Sequence, residues 1–304
     1  MKNNLRGSLI LTAAALIWGL AFVAQSGAAQ FVPTFTFNAL RSFIGAVALL
    51  VFWKITNLKQ KAPFFPTEKK EKKEYLSAAL ICGICLAISI NLQQFGIALY
   101  PNEGVAKEAR SGFLTALYVI LVPIFSIVLR KKISPLVAIG GIIAIVGIYC
   151  LLGGNFSGIY LGDILVFCCA ISFAIHIMSV DKFVGLTGGI KLSIMQFIIA
   201  GLVSTVLALI FDTVNWSNVL LCAPQILYLG IMSSGVAYTL QIVGQKYAEP
   251  AVASITMSLE SVFAALGGMV ISGNMLQPNE FLGCALVFVA IIVAQLPELK
   301  LKKA

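Results

Sequence analysis

The chain has 304 residues, of which 60% are hydrophobic and only 33 are charged, with a formal net charge of +9 and a mean hydropathy of +0.98. A soluble domain of this length carries about 76 charged residues, roughly a quarter of its composition, so an ordinary soluble enzyme is excluded. In a membrane chain the basic excess has to be read by side of the bilayer, and no nucleic-acid partner is inferred from it.

Apolar runs between charges and Pro/Gly/Asn clusters predict ten membrane helices. They cover about 8–29, 34–53, 75–98, 104–129, 134–153, 161–180, 190–211, 224–245, 250–272 and 279–296. The first run follows Lys2 and Arg6 and has the flanks of a signal peptide. Its length and its nine successors mark it as an uncleaved span. Lys and Arg test the count, because cytoplasmic connections hold the basic excess. Counting from the N-terminal end, alternate connections hold 18 of the 21 basic residues, seven of them between Lys54 and Lys73, and the five opposite connections hold none. The prediction is an all-α, multi-pass plasma-membrane protein with both termini cytoplasmic. The Lys/Glu run Glu68–Glu74 reads as a solvated loop near anionic lipid. Seven cysteines lie in or beside apolar runs and behave as small hydrophobes. Cys82 and Cys85 form a C-x-x-C, but with no second pair and a single His no metal, redox site or cofactor is expected.

The chain also repeats itself. Gly7-Ser8-Leu9-Ile10 opens span one and Gly162-Asp163-Ile164-Leu165 opens span six, 155 positions later, so that Trp18 falls opposite Phe173. Two units, 8–153 and 161–296, then hold five spans each. An odd number forces the second unit to enter the membrane from the opposite side, giving two inverted five-helix repeats, a common build of secondary transporters.

Several local motifs then stand in order. Ile17-Trp18-Gly19 lies in span one, Asn38-Ala39-Leu40-Arg41 in span two, and Ser111-Gly112-Phe113-Leu114-Thr115-Ala116-Leu117-Tyr118 through Val122-Pro123 in span four. Tyr238-Thr239-Leu240-Gln241 with Gln245-Lys246-Tyr247 follows in span eight, and Ser258-Leu259-Glu260-Ser261-Val262-Phe263 in span nine. This set resembles the EamA-like family of the drug/metabolite transporter superfamily over nearly the whole chain. The resemblance implies ten helices in inverted five-plus-five topology and export of small metabolites. The chain departs from the family at Asn274, where an acidic residue is common.

Polar side chains inside spans cost roughly 2.5–3.5 kcal/mol when charged and so face the bundle interior or a wet cavity. Helical spacing groups Trp18, Phe22 and Gln25 in span one, Asn91 and Gln94 in span three, and Ser111, Thr115 and Tyr118 in span four. It also groups Ser172, His176 and Ser179 in span six, and Ser234, Tyr238, Gln241 and Gln245 in span eight. These stripes either line one central pathway or hydrogen-bond neighbouring helices as packing glue. Glu260 is the acidic residue deep in a span, among Thr256, Met257, Phe263 and Ala264. An ionised carboxyl there is costly and a protonated one tolerable, so Glu260 is a candidate for proton coupling, with a structural bond at a helix break as the competing role. His176 is the second coupling candidate, or a buried, singly bonded imidazole. Arg41 is expected to hold the bundle by bonding carbonyls or to gate the outer mouth together with Glu103, Lys107 and Arg110. Of these, Glu103 and Lys107 are spaced i, i+4.

The reading is a secondary transporter working by alternating access, an exporter of small metabolites such as amino acids, with protons as the candidate coupling ion and the lipid bilayer as its surroundings. An uncoupled facilitator or importer is the alternative. A membrane sensor or enzyme is disfavoured by the short connections and the single His. Substrate, coupling ion and oligomeric state, a homodimer included, are left open.

Overall fold

The computed structural model describes residues 4–58, 63–101, 107–130, 133–151, 160–185, 188–272 and 278–301. Among these residues all regular secondary structure is helical. Helices α1 (Asn4–Ala29), α2 (Thr34–Asn57) and α3 (Lys69–Ala98) are continuous, whereas the fourth segment is divided into α4 (Lys107–Ala116) and α5 (Tyr118–Val128). Then come α6 (Pro135–Leu151), α7 (Leu161–Phe183), α8 (Gly189–Phe211) and the short α9 (Trp216–Leu221). The eighth segment joins α10 (Ala223–Tyr228), a π-helical stretch Leu229–Ala237 and α11 (Tyr238–Tyr247). The ninth is again divided, into α12 (Pro250–Met257) and α13 (Leu259–Ser272), and α14 (Pro278–Leu301) closes the fold. Pro135, Pro250 and Pro278 each stand at the first helical position, where a missing N–H costs nothing and the fixed φ suits the helix.

Eight helices among the described residues are long and apolar enough to cross a membrane, and shorter apolar helices at Pro135–Cys150 and Phe281–Ala294 occupy the fifth and tenth segments. The exposed surface is rich in large apolar side chains such as Leu209, Leu220 and Val270, while Asn38, Gln94, His176, Gln196 and Gln245 are buried. That inversion of the soluble pattern fits hydrocarbon outside and polar contacts inside.

Numbering the apolar segments one to ten, segment five packs on ten, two on seven and four on nine. Three packs on six and on seven, eight on one and on two, one on nine, and six on four. Exchanging each segment with the one five places away returns the same set of pairs. The close approaches repeat in detail. A Cβ built at Gly7 would lie 2.6 Å from Ala248 Cβ and 2.9 Å from the Gly244 carbonyl, while one at Gly162 would lie 2.6 Å from the Gly96 carbonyl and 2.9 Å from the Tyr100 ring. Only glycine allows these backbones to touch, and Gly7 and Gly162 are counterparts at the offset of 155 seen in the sequence. Gly19 does the same between α1 and α13, where a Cβ would lie 2.4 Å from Phe263 Cβ. This contact draws the Trp18 face of α1 against the turn that carries Glu260.

Candidate functional site

The two divided segments meet beside a cavity in the middle of the bundle. Leu117 interrupts the fourth segment and Ser258 the ninth, each as a one-residue turn. The ninth is stitched by side chains, with Ser258 Oγ donating to the Ile255 carbonyl at 2.7 Å and Ser261 Oγ to the Ser258 carbonyl at 2.6 Å. Tyr118 begins α5 and Glu260 stands second in α13, and the Tyr118 hydroxyl donates to Glu260 Oε1 at 2.8 Å. Leu117 and Ser258 keep helical dihedrals, so each interruption is a local tightening of the helix, and the two stand in matching positions of the two halves, the placement in which transporter sites are found.

The cavity encloses about 40 Å³, room for about three waters. An aromatic group dominates it. Tyr238 stacks edge-on against Trp18 with centroids 4.8 Å apart and against Phe197 at 5.2 Å, while Phe22 and Phe173 complete the wall. Polar groups come from Gln25, Arg41, Gln93, Thr115, Ser233 and Gln241, with Glu260 as the acid. Gln93 Nε2 donates to Thr115 Oγ1 at 3.1 Å, and Gln241 Nε2 to Gln245 Oε1 at 3.1 Å. Four buried lining atoms find no protein partner, namely Trp18 Nε1, Gln25 Oε1, Arg41 Nε and Gln241 Oε1. The wall thus holds both donors and acceptors that find no protein partner.

The expected residues divide between the cavity and the helix interfaces around it. Trp18, Phe22, Gln25, Thr115, Tyr118, Tyr238, Gln241 and Glu260 come together at the cavity. Asn91, Gln94 and His176 do not line it. Asn91 accepts from Asn38 Nδ2 at 3.1 Å and donates to Ser204 Oγ at 2.8 Å, binding α3 to α2 and α8. Gln94 donates to the Gln25 carbonyl, and Gln93, one residue and about 100° earlier, takes the lining position. His176 Nε2 sits 3.1 Å from Gln196 Oε1 between α7 and α8, leaving Phe173 and Ile177 to face the cavity. In the eighth segment Ser233 lines the cavity in place of Ser234, because the π-helical stretch puts residues five apart on one face and so pairs Ser233 with Tyr238. Arg41 lines the cavity, and among the described residues its Nε has no hydrogen-bond partner. Glu103 and Asn274 lie outside the described residues.

Asp163 escaped the sequence reading. Arg110 grips it with both arms, Nε to Oδ1 and Nη2 to Oδ2, each at 2.6 Å, and the Tyr100 hydroxyl adds a bond of 2.8 Å. The Tyr160 backbone N–H completes the carboxylate at 2.8 Å, and the guanidinium lies 4.9 Å from the Tyr160 ring centre. Burial and then the neighbouring carboxylate push the Tyr100 phenol above its ordinary range, so it stays a neutral donor. This cluster joins α4 to the start of α7. Lys107, buried at the start of α4, lies one helical turn from Arg110. A usable signal was in the sequence: an acid opens span six on the same side as Lys107 and Arg110.

Comparison with known proteins places the whole chain. A protein of Archaeoglobus fulgidus named an uncharacterized transporter is 28% identical over 97% of this chain and 87% of its own length. The uncharacterized transporter YwfM of Bacillus subtilis is 26% identical over 100% of this chain and 98% of its own. A crystal structure that is 19% identical superposes with a TM-score of 0.76, covering 97% of this chain and 98% of that one, and so shares the fold. The sequence pattern of the EamA-like transporter family matches residues 5–153 and again 160–295. The chain is therefore a membrane transporter of the EamA-like family, within the drug/metabolite transporter superfamily.

Proposed function

We propose that the protein is a secondary transporter of the plasma membrane that exports small amphipathic metabolites, amino acids or related compounds, by alternating access. In this reading ten spans form two inverted five-helix halves, 8–153 and 161–296, with both termini cytoplasmic. The observation that carries it is the small cavity beside the two interrupted segments, lined from both halves by aromatic rings, amides and one carboxylic acid. The packing that maps onto itself under a five-segment exchange supports two states related by swapping the halves' conformations. The one-sided distribution of Lys and Arg supports the orientation.

Glu260 is the proposed coupling group. Its carboxyl accepts a proton when the cavity is empty and releases it when a substrate ammonium arrives, so that export is exchanged for inward proton movement. Purified protein in liposomes tests the scheme. Counterflow with amino acids should occur at equal pH, and a proton gradient should drive uphill accumulation. Glu260→Gln keeps the shape of the neutral carboxyl and its bond to Tyr118. It should retain counterflow but lose the uphill component, and full uphill transport by this variant would eliminate the proton-carrier role.

A further inference from the structure

The run Glu68–Glu74 does not form the solvated loop that its sequence predicts: from Lys69 onward it is the start of α3. Helical geometry then sorts its charges by sign. At 100° per residue, Lys69, Lys72 and Lys73 fall within an arc of about 100°, and Leu76 and Leu80 lie in the same arc further along the helix. Glu71 and Glu74 each lie about 150° from the centre of that arc. The three lysines are exposed, and with Leu76, Ser77 and Leu80 they line an open groove of about 420 Å³. Among the described residues the groove holds no acid, and no ion pair involves these lysines. Beyond the groove the apolar stripe continues, with Leu76, Leu80, Ile84 and Ile88 between 41% and 52% exposed. From Leu76 to Ile88 the helix rises about 18 Å, close to the half-thickness of about 15 Å of a bilayer's hydrocarbon core. At the upper end the Lys72 ammonium lies 5.7 Å from the Phe65 ring centre, and Phe65 packs edge-on against Phe64 and Tyr75. Aromatic rings of this kind collect at headgroup level.

We propose that this face of α3 is a binding site for one anionic phospholipid. The phosphate and headgroup rest on Lys69, Lys72 and Lys73, with the Ser77 hydroxyl as a further donor, and an acyl chain runs along Leu76, Leu80, Ile84 and Ile88. Charge complementarity decides the lipid class. A zwitterionic phospholipid brings its own cation to a groove that already holds three, whereas an anionic one brings the net negative charge that the groove lacks. The order of the residues decides between a lipid and a soluble phosphate. The lysines end where the leucines begin, so only a molecule with an anionic head and an apolar tail uses the whole stripe. Placing that lipid in the cytoplasmic leaflet rests on the orientation proposed above, and that leaflet is the anionic one. The site itself does not depend on the orientation. Each lysine near an anionic headgroup contributes roughly fivefold in affinity, so the three together contribute roughly 100-fold.

The experiment titrates the purified full chain, in a neutral detergent, with phosphatidylglycerol or phosphatidylcholine. Native mass spectrometry reads the bound lipid and thermal unfolding reads the stabilisation. Phosphatidylglycerol should bind saturably and raise the melting temperature, and phosphatidylcholine should need at least ~tenfold higher concentration. The combined variant Lys69→Gln, Lys72→Gln, Lys73→Gln should lose roughly 100-fold in affinity for phosphatidylglycerol and leave phosphatidylcholine unchanged. A control removes the same charge from other exposed positions, Lys54→Gln, Lys182→Gln and Lys246→Gln, and should bind phosphatidylglycerol as the wild type does. Should the first combination melt early without lipid, the single variants decide the question, each with an expected loss of roughly fivefold. Equal binding of the two lipids overturns the proposal. An equal loss in both combined variants also overturns it, since that is the behaviour of diffuse net charge. Glycerol 3-phosphate, which has the phosphate without the chains, should leave the melting temperature unchanged. Stabilisation by it that the groove variant loses would mark a soluble-phosphate site and overturn the lipid assignment. Detergent solution has no inside or outside and needs no transport, so these results stand apart from the orientation and the cycle.

Discussion

Under the alternating-access cycle and orientation proposed above, Asp163→Asn should open the outward-facing side of the transporter. The carboxylate receives two bonds of 2.6 Å from Arg110, one of 2.8 Å from Tyr100 and one from the Tyr160 backbone, and the paired side chains are only 10% and 11% exposed. Asparagine removes the charge and the bidentate grip that Arg110 has on Asp163. The loss is about 2–3 kcal/mol, taken below the range for fully buried pairs because of the residual exposure. Ser8 is the counterpart of Asp163 at the offset of 155, and it makes a single hydroxyl contact of 3.1 Å with Thr256. That bond is worth about 1 kcal/mol. In the cycle and orientation proposed above, the cluster joining α4 to α7 is therefore the stronger of two equivalent closures and favours a state shut on the outer side. If only that state contains the ion pair, losing 2–3 kcal/mol shifts the equilibrium by about 30- to 140-fold. The assay is labelling of Gln25→Cys, in a background lacking native cysteines, by a membrane-impermeant maleimide added outside. Asp163→Asn should raise its rate at least tenfold. An unchanged rate with a lowered melting temperature would show that the ion pair supports the fold in every state and would refute the reasoning.

Cysteine reactivity should also separate neighbours in α3: Gln93→Cys reacts with a small water-soluble thiol reagent and Gln94→Cys does not, and equal rates would remove the register assigned to the cavity. Gly162→Ala should lower the melting temperature markedly, because its Cβ would meet the Gly96 carbonyl oxygen at 2.6 Å and backbone cannot yield as a side chain can. The cost should be about 1–3 kcal/mol, measured by thermal unfolding in detergent, with Gly27→Ala, where a Cβ meets nothing within 4 Å, as the control. Reporter tags at the C-terminus and in residues 60–70 should be protected inside the cell while tags near Asn155 or Asn215 are accessible outside. A C-terminal tag found outside would refute the ten-span count.

Composition and local periodicity carried much of this architecture. Apolar runs separated by charged or Pro/Gly/Asn-rich connections mark membrane helices because each span must satisfy its own backbone in hydrocarbon, a constraint that acts segment by segment. The faces of segments one and four were legible for a related reason. Trp18, Phe22 and Gln25 lie on regular helix where spacing translates directly into direction, and the helical dihedrals of Leu117 keep Thr115 and Tyr118 in nearly the same register. What the tertiary structure decided depends on partners distant in sequence. In α3 both Gln93 and Gln94 are polar, and only the packing of α3 on its neighbours chooses which one sees the cavity. The π-helical stretch changes the residues per turn, so a count of 3.6 from Tyr238 lands on Ser234 while the chain presents Ser233. His176 looked like a cavity group until α8 supplied Gln196 as its partner. Arg110 and Asp163 are 53 positions apart, and Arg41 and Glu260 share a cavity from α2 and α13, so no local pattern could reveal that one arginine is paired and the other is not. Burial in lipid punishes an unpaired charge wherever it sits, but the identity of its partner is a property of the assembled bundle.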